Sequence, residues 1–436
     1  MSVGVASAPE IASPVDSLCD RLDGMLSELA EAVAGCVELR DVGGVTDRER
    51  IDRITRLEQL KAAAAALQAA ESVRFAQSQV EQQIAADVHP KVIGRGIADQ
   101  LGLACKVSPT EGSRRLGIAR ALWFDLPETF QLLTRGRISE YVASLVVSET
   151  RHLDAQTRRH VDTTIVAAGI DRMGPRRAAA CARTYAYAAD PHGYLQRGRT
   201  ERRHRRVGLR PAPDTMAVLT GYLPVEQGVA CLAALRRHTD TVRAQGDRRS
   251  RDQIMADTLV ERLTGQAAAA DVNIELHLLM PLTSLLDPHD ATPAEIAGYG
   301  PIPAGTAHDL LRSSRGRRWW RRLFTSPAGG PIVGGDRFRR RFDGSLGTLI
   351  RLRDRTCRDP YCDAPIRHLD HVHRHADGGP STLANGRGLC ARGNYVREMP
   401  GWTATVTNDG RHHHPHTVTI TTPTGHSYTS TAPQPP

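Results

Sequence analysis

Apolar residues return every three or four positions between Glu49 and Ala86, where Ile51, Ile54, Leu57, Leu60, Ala64 and Leu67 fall on one face. That spacing predicts one long helix, or two with a short break, stopped by Pro90 and by the glycines at 94 and 96. Residues 1–45 are rich in small side chains and predict a loose lead-in. Beyond Pro90 come shorter helices with legible starts. Ser108-Pro109-Thr110-Glu111 reads as a capping box with proline at the first helical position, where its missing N–H costs nothing; a helix to about Phe124 follows. Ser139 caps another, through Tyr141, Leu145 and Val146. Short helices parted by Gly102 and Gly136 suit a plain bundle or a helix-turn-helix, and this stretch has no charge excess to favour DNA reading.

After the polar run Arg197–Arg206 the period changes. Val207–Arg210 and Met216–Tyr222 predict a hairpin with Pro211–Asp214 at its turn. Helices are expected at Val225–Thr241 and Asp252–Thr264, then an apolar strand at Val272–Met280. Residues 315–342 read as an arginine-rich hairpin, with Trp319 and Trp320 between arginines. Further on, Leu369–His375 reads as a strand, Asp377-Gly378-Gly379 as a turn and Thr382–Glu398 as a helix. The sum is an α+β chain: a helical region 46–200, a mixed α/β region 201–345, a small module 346–404 and a polar β-hairpin tail 405–436.

Length changes little in this picture, since 436 residues suggest about three structural units. Mean hydropathy is −0.36 and no run approaches the roughly 18 apolar residues of a membrane span, so no membrane partner and a cytoplasmic location are expected. Charge changes more. The net +9 resolves into +10 for residues 301–400 and −1 for all the rest. A positive field so concentrated suits a polyanion, most simply nucleic acid. In the arginine-rich hairpin, Arg317, Arg318, Arg321, Arg322, Arg339 and Arg340 are the phosphate-contacting candidates, with the tryptophans available for stacking on bases. No GxGxxG, P-loop or GxSxG sequence occurs, which leaves out the common nucleotide-binding and serine-hydrolase signatures.

Three of the eight cysteines, Cys357, Cys362 and Cys390, cluster in the basic segment, and a cluster without a secretory signal reads as metal binding before disulfides. The same stretch holds Asp370-His371, Asn385 and Asn394. These are the residues a metal-dependent phosphodiesterase needs. An imidazole near neutrality can deprotonate water, which makes His371 the general base. Asp370 and Asn394 offer hard oxygens for one Mg²⁺ or Mn²⁺ ion. Asn385 can hold the loop backbone behind the histidine. His373 and His375 share the strand face of His371, and His412-His413-His414-Pro415-His416 is a histidine run with no assigned role.

With its Asp-His start, central asparagine, glycine pair and Leu389-Cys390-x₃-Asn394 ending, the stretch 355–402 resembles the HNH endonuclease family. Upstream, the pattern of residues 96–145, the β-rich middle and the ending TTPTGHSYTS (421–430) are similar to actinobacterial proteins that join a long N-terminal domain of unassigned function to HNH. The resemblance implies a ββα-metal nuclease module and a divalent-metal endonuclease acting on double-stranded DNA. In it, His371 and Asn385 would be catalytic, Asp370 and Asn394 metal ligands, and the cysteines a structural Zn²⁺ site. Family members close that site with Cys-x-x-Cys, whereas here the second pair is Cys390-x₂-Gly393. Three sulfurs would need His368, or a water, as the fourth ligand. The alternative is a regulatory or structural DNA-binding protein with a degenerate HNH fold; an RNA substrate is compatible with the same residues.

Overall fold

The computed structural model describes residues 16–38, 45–265, 278–279, 284, 286–287, 289–296, 299–313, 342, 344–410 and 414–433. Two compact units divide it, Met1–Lys61 and Ala62–Pro436. The first contains helix α1 (Asp16–Glu38), where a loose lead-in was expected. Its alanines and glycines hide a helical stripe of Leu22, Leu26, Leu29 and Val33.

Helix α2 (Asp47–Ala85) is continuous, one helix rather than two. It is followed by α3 (Ile97–Ala104), α4 (Pro109–Phe124), α5 (Pro127–Thr134), α6 (Glu140–Thr150), α7 (Ala155–Ala167), α8 (Pro175–Ala189) and α9 (Pro191–Glu201). The predicted caps are present: Ser108 accepts from the Glu111 N–H and Ser139 from the Val142 N–H. Only half of the expected box forms, because the Glu111 carboxylate turns to Arg114 and Arg115. Leu122, Leu126, Leu133, Val146, Ile165, Ile170 and Ala182 fill the bundle core. Asp162, fully buried, reaches across it to accept from the N–H groups of Glu128 and Thr129 at the start of α5.

The hairpin β1 (Arg206–Ala212) and β2 (Met216–Tyr222) runs two residues further than expected. Ala212 pairs with Met216, and Asp214 and Thr215 make the turn at positive φ. Helices α10 (Val225–Ala244) and α11 (Arg251–Thr264) follow. Of the expected strand 272–280 only β3 (Leu278–Leu279) is described; it pairs with β4 (Ala294–Ile296), which pairs with β5 (Gly300–Ile302). The arginine-rich hairpin, including Arg317, Arg318, Arg321, Arg322, Arg339 and Arg340, lies outside the described residues.

The C-terminal part starts with a helix, Gly344–Asp354, and an antiparallel pair, β6 (His368–His371) with β7 (Gly386–Leu389). Strand β7 stands where a helix from Thr382 was expected, and helix occupies only Ala391–Val396. Gly386 and Gly388 explain the difference. They weaken a helix, and a strand needs them because a side chain at 386 would strike Ile350 and Phe342 and one at 388 would strike Ile366. The tail is three strands rather than a hairpin: β8 (Thr403–Asn408), β9 (Thr417–Thr421) and β10 (Ser427–Thr431), with β9 central. Val418 and Ile420 of β9 pack on Val372 beside the hairpin.

One buried ionic knot joins these pieces. Asp354 accepts from Arg353, from Arg358 (2.9 Å) and from the Gly388 N–H of β7 (2.7 Å). Arg353 also donates to the Leu383 carbonyl, and Arg358 to the carbonyls of His416 and Ser430 in the tail sheet. All three charged residues are buried. Burial would raise the Asp354 carboxyl, but the two guanidiniums override it and hold it below its ordinary value. Removing one member of such a set strands the others in low dielectric. Asp354→Ala is therefore expected to cost about 3–5 kcal/mol in urea unfolding; a loss under about 1 kcal/mol would mean that the arginines find other partners.

Candidate metal centre and hairpin–helix site

Cys357, Cys362 and Cys390 are brought together by a short loop, the end of β7 and the first turn of the helix Ala391–Val396. Their sulfurs all lie within 4.8 Å of one another, with Cys362 and Cys390 3.9 Å apart, and none forms a disulfide. Three buried thiols so arranged can hold a metal ion. Sulfur spacings near 3.8 Å follow from zinc–sulfur bonds of about 2.3 Å in a tetrahedron. Cys390 caps the helix and accepts from the Gly393 N–H at 3.3 Å. Hydrogen bonds from the Cys357 and Cys362 thiols, aided by that N–H, lower the Cys390 thiol, while the Cys357 thiol is pushed up and Cys362 to about 12. Of the three thiols, Cys390 is thus the one that gives up its proton most readily. His368 is not part of it; its ring packs edge-on against Tyr395.

The second set of residues is divided by the pleat of β6. Asp370 sits opposite Arg387 of β7, and its carboxylate accepts from Arg397, with Arg387 Nε 3.5 Å away. Next to it, His371 turns the other way. Its ring lies 4.3 Å from that of Phe342, and Nε2 is 2.7 Å from the Ser381 hydroxyl. Burial lowers the imidazole from its ordinary value, and His375, with its ring 5.4 Å away, adds to the effect. Asn385 does what its position suggested. Its Oδ1 accepts from the His373 N–H at 2.8 Å and its Nδ2 donates to the carbonyls of His373 and Pro380, both at 2.9 Å. The turn after β6 is therefore clamped from one side chain. Asn394 is half-buried on the helix, and among the described residues no hydrogen bond joins its side chain to Asp370 or His371.

Sequence reasoning missed two arginines and a histidine. Arg387 is 1% exposed, with Nε and Nη1 making no hydrogen bond, and Arg397 lies across Asp370 and the His371 and Val372 carbonyls. The pairing of Asp370 with Arg387 across the strands was the available signal, hidden by the helix expected over 382–398. His416, from the histidine run, is fully buried, with Nε2 donating to the Ala384 carbonyl at 2.7 Å; residues 411–413 lie outside the described residues.

The module is seated on the helices. Arg392 forms a bidentate pair with Asp99 of α3 (2.6 and 2.7 Å) and donates to Ser113 of α4, while Thr424 of the tail donates to Gln100. A cavity of about 320 Å³ opens at this junction, walled by Asp99 and Leu103 from α3 and by Asp359, Arg387, Arg397 and Trp402 from the module.

A family model described as a domain of unknown function, DUF222, matches residues 20–354. The chain belongs to the DUF222 family. The match stops at Asp354, so the three cysteines and Asp370, His371, Asn385 and Asn394 all lie beyond it. The chain is 28% identical over 186 residues to the uncharacterized protein Rv3776 of Mycobacterium tuberculosis, covering 40% of this chain and 33% of the relative. It thus spans about a third of the length of the curated relative it matches. No solved structure matches. No helix among the described residues of this DUF222 protein is long and apolar enough to cross a membrane.

His416 gives a pH prediction. Burial, with Arg353 nearby, lowers its imidazole from an ordinary 6.5 to about 4. Above pH 6.5 neither the folded nor the unfolded chain protonates it. Between 6.5 and 4 only the unfolded chain does, so stability falls with pH by about 3 kcal/mol from this group. His416→Gln should flatten that part of the decline between pH 7 and 4 in urea titrations; parallel curves for variant and wild type would refute the assignment.

Proposed function

We propose that the C-terminal module is a metal-dependent DNA endonuclease of the HNH kind, with His371 as the general base. The observation that carries this reading is the setting of His371. A hairpin and helix frame it, Asn385 clamps the following turn, the Ser381 hydroxyl fixes the ring and burial keeps it neutral. In the tautomer suited to a base, Nε2–H donates to Ser381 and Nδ1 keeps its lone pair to take a proton from the attacking water. The basic segment around it would draw in the phosphate backbone, with Arg317, Arg318, Arg321, Arg322, Arg339 and Arg340 proposed to grip double-stranded DNA.

Asp370 and Asn394 are the residues that would hold a Mg²⁺ or Mn²⁺ ion, and their hard oxygens fit such a cation. When bound, the ion would stabilise charge on the phosphate and on the leaving oxygen. In this chain Arg397 occupies the Asp370 carboxylate and must move before that oxygen can serve as a ligand. That contact favours a second reading, a regulatory or structural DNA-binding module that does not hydrolyse its substrate.

Supercoiled plasmid incubated with the full chain plus Mg²⁺, Mn²⁺ or EDTA separates the two. The nuclease reading expects nicking with either metal, none with EDTA, and a loss of about 10²–10⁴-fold in His371→Ala with DNA binding retained. Binding without metal-dependent nicking supports the second reading, and a parallel assay on labelled RNA identifies the polymer. The rate should also level off at a pH below 6.5, since burial lowers the His371 imidazole and its base form persists further into acid. A rate still rising tenfold per unit above pH 7.5 would assign the base elsewhere.

A further inference from the structure

The helix Ala391–Val396 presents a glycine where a fourth ligand would be expected, and something else fills the space. The Gly393 N–H donates to the Cys390 sulfur, so the Cα of residue 393 lies against the thiol cluster. A Cβ built on Gly393 would overlap Oδ2 of Asp359. The side chain missing from position 393 has been replaced in space by a carboxylate from the loop between Cys357 and Cys362. We propose that Asp359 is the fourth ligand of a Cys₃Asp zinc site formed with Cys357, Cys362 and Cys390, in room that Gly393 leaves open.

Distances and charge both support it. Asp359 Oδ2 is 3.8 Å from the Cys357 sulfur, a spacing like the 3.9 Å between Cys362 and Cys390. Two ligands on one tetrahedral zinc stand about 3.5–3.8 Å apart, given zinc–sulfur and zinc–oxygen bonds of about 2.3 and 2.0–2.2 Å. The carboxylate meets the thiol triangle at the Cys357 corner and is not among the mutually close set, so it joins by turning about its side-chain bonds toward the other two sulfurs. Binding Zn²⁺ releases protons from the thiols and leaves three thiolates and one carboxylate around a dication, a net charge of −2. Arg387, buried among Asp359, Cys357 and Asp354, has two guanidinium nitrogens without hydrogen-bond partners. An anionic metal cluster would add to the counter-charge that Asp370, 3.5 Å from its Nε, already gives that guanidinium.

This inference rests on the cysteines binding zinc, and the test keeps the two apart. The 436-residue chain, purified without a metal-affinity tag, is assayed for zinc by mass spectrometry, for affinity by competition with a chromophoric chelator, and for the visible spectrum of its Co²⁺ form. Wild type should carry one zinc per chain. Asp359→Ala should weaken binding at least tenfold and shift the Co²⁺ bands, with the helical circular dichroism unchanged. Gly393→Cys alone should disturb the site, because its Cβ meets Asp359, whereas Asp359→Ala/Gly393→Cys should recover tight binding with a four-sulfur Co²⁺ spectrum. If Asp359→Ala matches wild type in affinity and spectrum while Cys390→Ser loses the metal, the cysteines bind zinc and the role of Asp359 is refuted. If wild type and Cys390→Ser are equally metal-free, both readings fall.

Discussion

The C-terminal module is organised around a carboxylate with nowhere to go. Asp354 is buried from water, and so are the two arginines that bind it. Such a set is stable only when every donor and acceptor is matched, since an unmatched charge in low dielectric costs several kcal/mol. The matching partners are the Gly388 N–H, the Leu383 carbonyl and the carbonyls of His416 and Ser430. They come from β7, the loop before it and the tail sheet. Meeting the needs of one buried carboxylate therefore fixes the register of β7, the position of the Asn385 loop and the seat of the last three strands.

The consequences reach the site. Strand β7 carries Arg387 and ends in Cys390, and the Asn385 clamp immediately precedes it. With β7 fixed, Arg387 is held opposite Asp370 and Cys390 against Cys362. The DUF222 match ends at Asp354, the last residue of its helix. The knot thus stands where the family's segment meets the part that carries the candidate chemistry, and a bidentate pair between Arg392 and Asp99 adds a second attachment to the helices.

Local signals in the sequence led to the helices, because a capping serine or an N-terminal proline acts on its own few residues. Ser108, Ser139, Pro109 and the long stripe of α2 are of this kind. The α1 stripe was obscured by its small residues, and β7 was misread because the reason for its glycines is not local. Gly386 and Gly388 answer to Ile350, Phe342 and Ile366 at distant positions. Of the candidate site, the gathering of the three cysteines was legible, and so was the backbone-clamping role of Asn385. The partners of Asp370 and the burial of His416 were not, since both depend on strands pairing across intervening sequence.

Position 393 shows how far such long-range compensation can go. Read along the chain, Cys390-x₂-Gly393 is an incomplete ligand pair. Read in space, the glycine makes room, because a Cβ there would meet the Asp359 carboxylate in its present position and push it aside. Asp359 in turn borders Cys357 and faces the buried Arg387, whose register is set by β7. In the proposed Cys₃Asp site, the glycine on the helix and the carboxylate on the loop are then complementary parts of one arrangement. A glycine at 393 without an acidic residue at 359 would leave an open corner beside Arg387, which would keep only Asp370 and Asp354 as nearby carboxylates; an acidic residue without the glycine would have its carboxylate pushed aside.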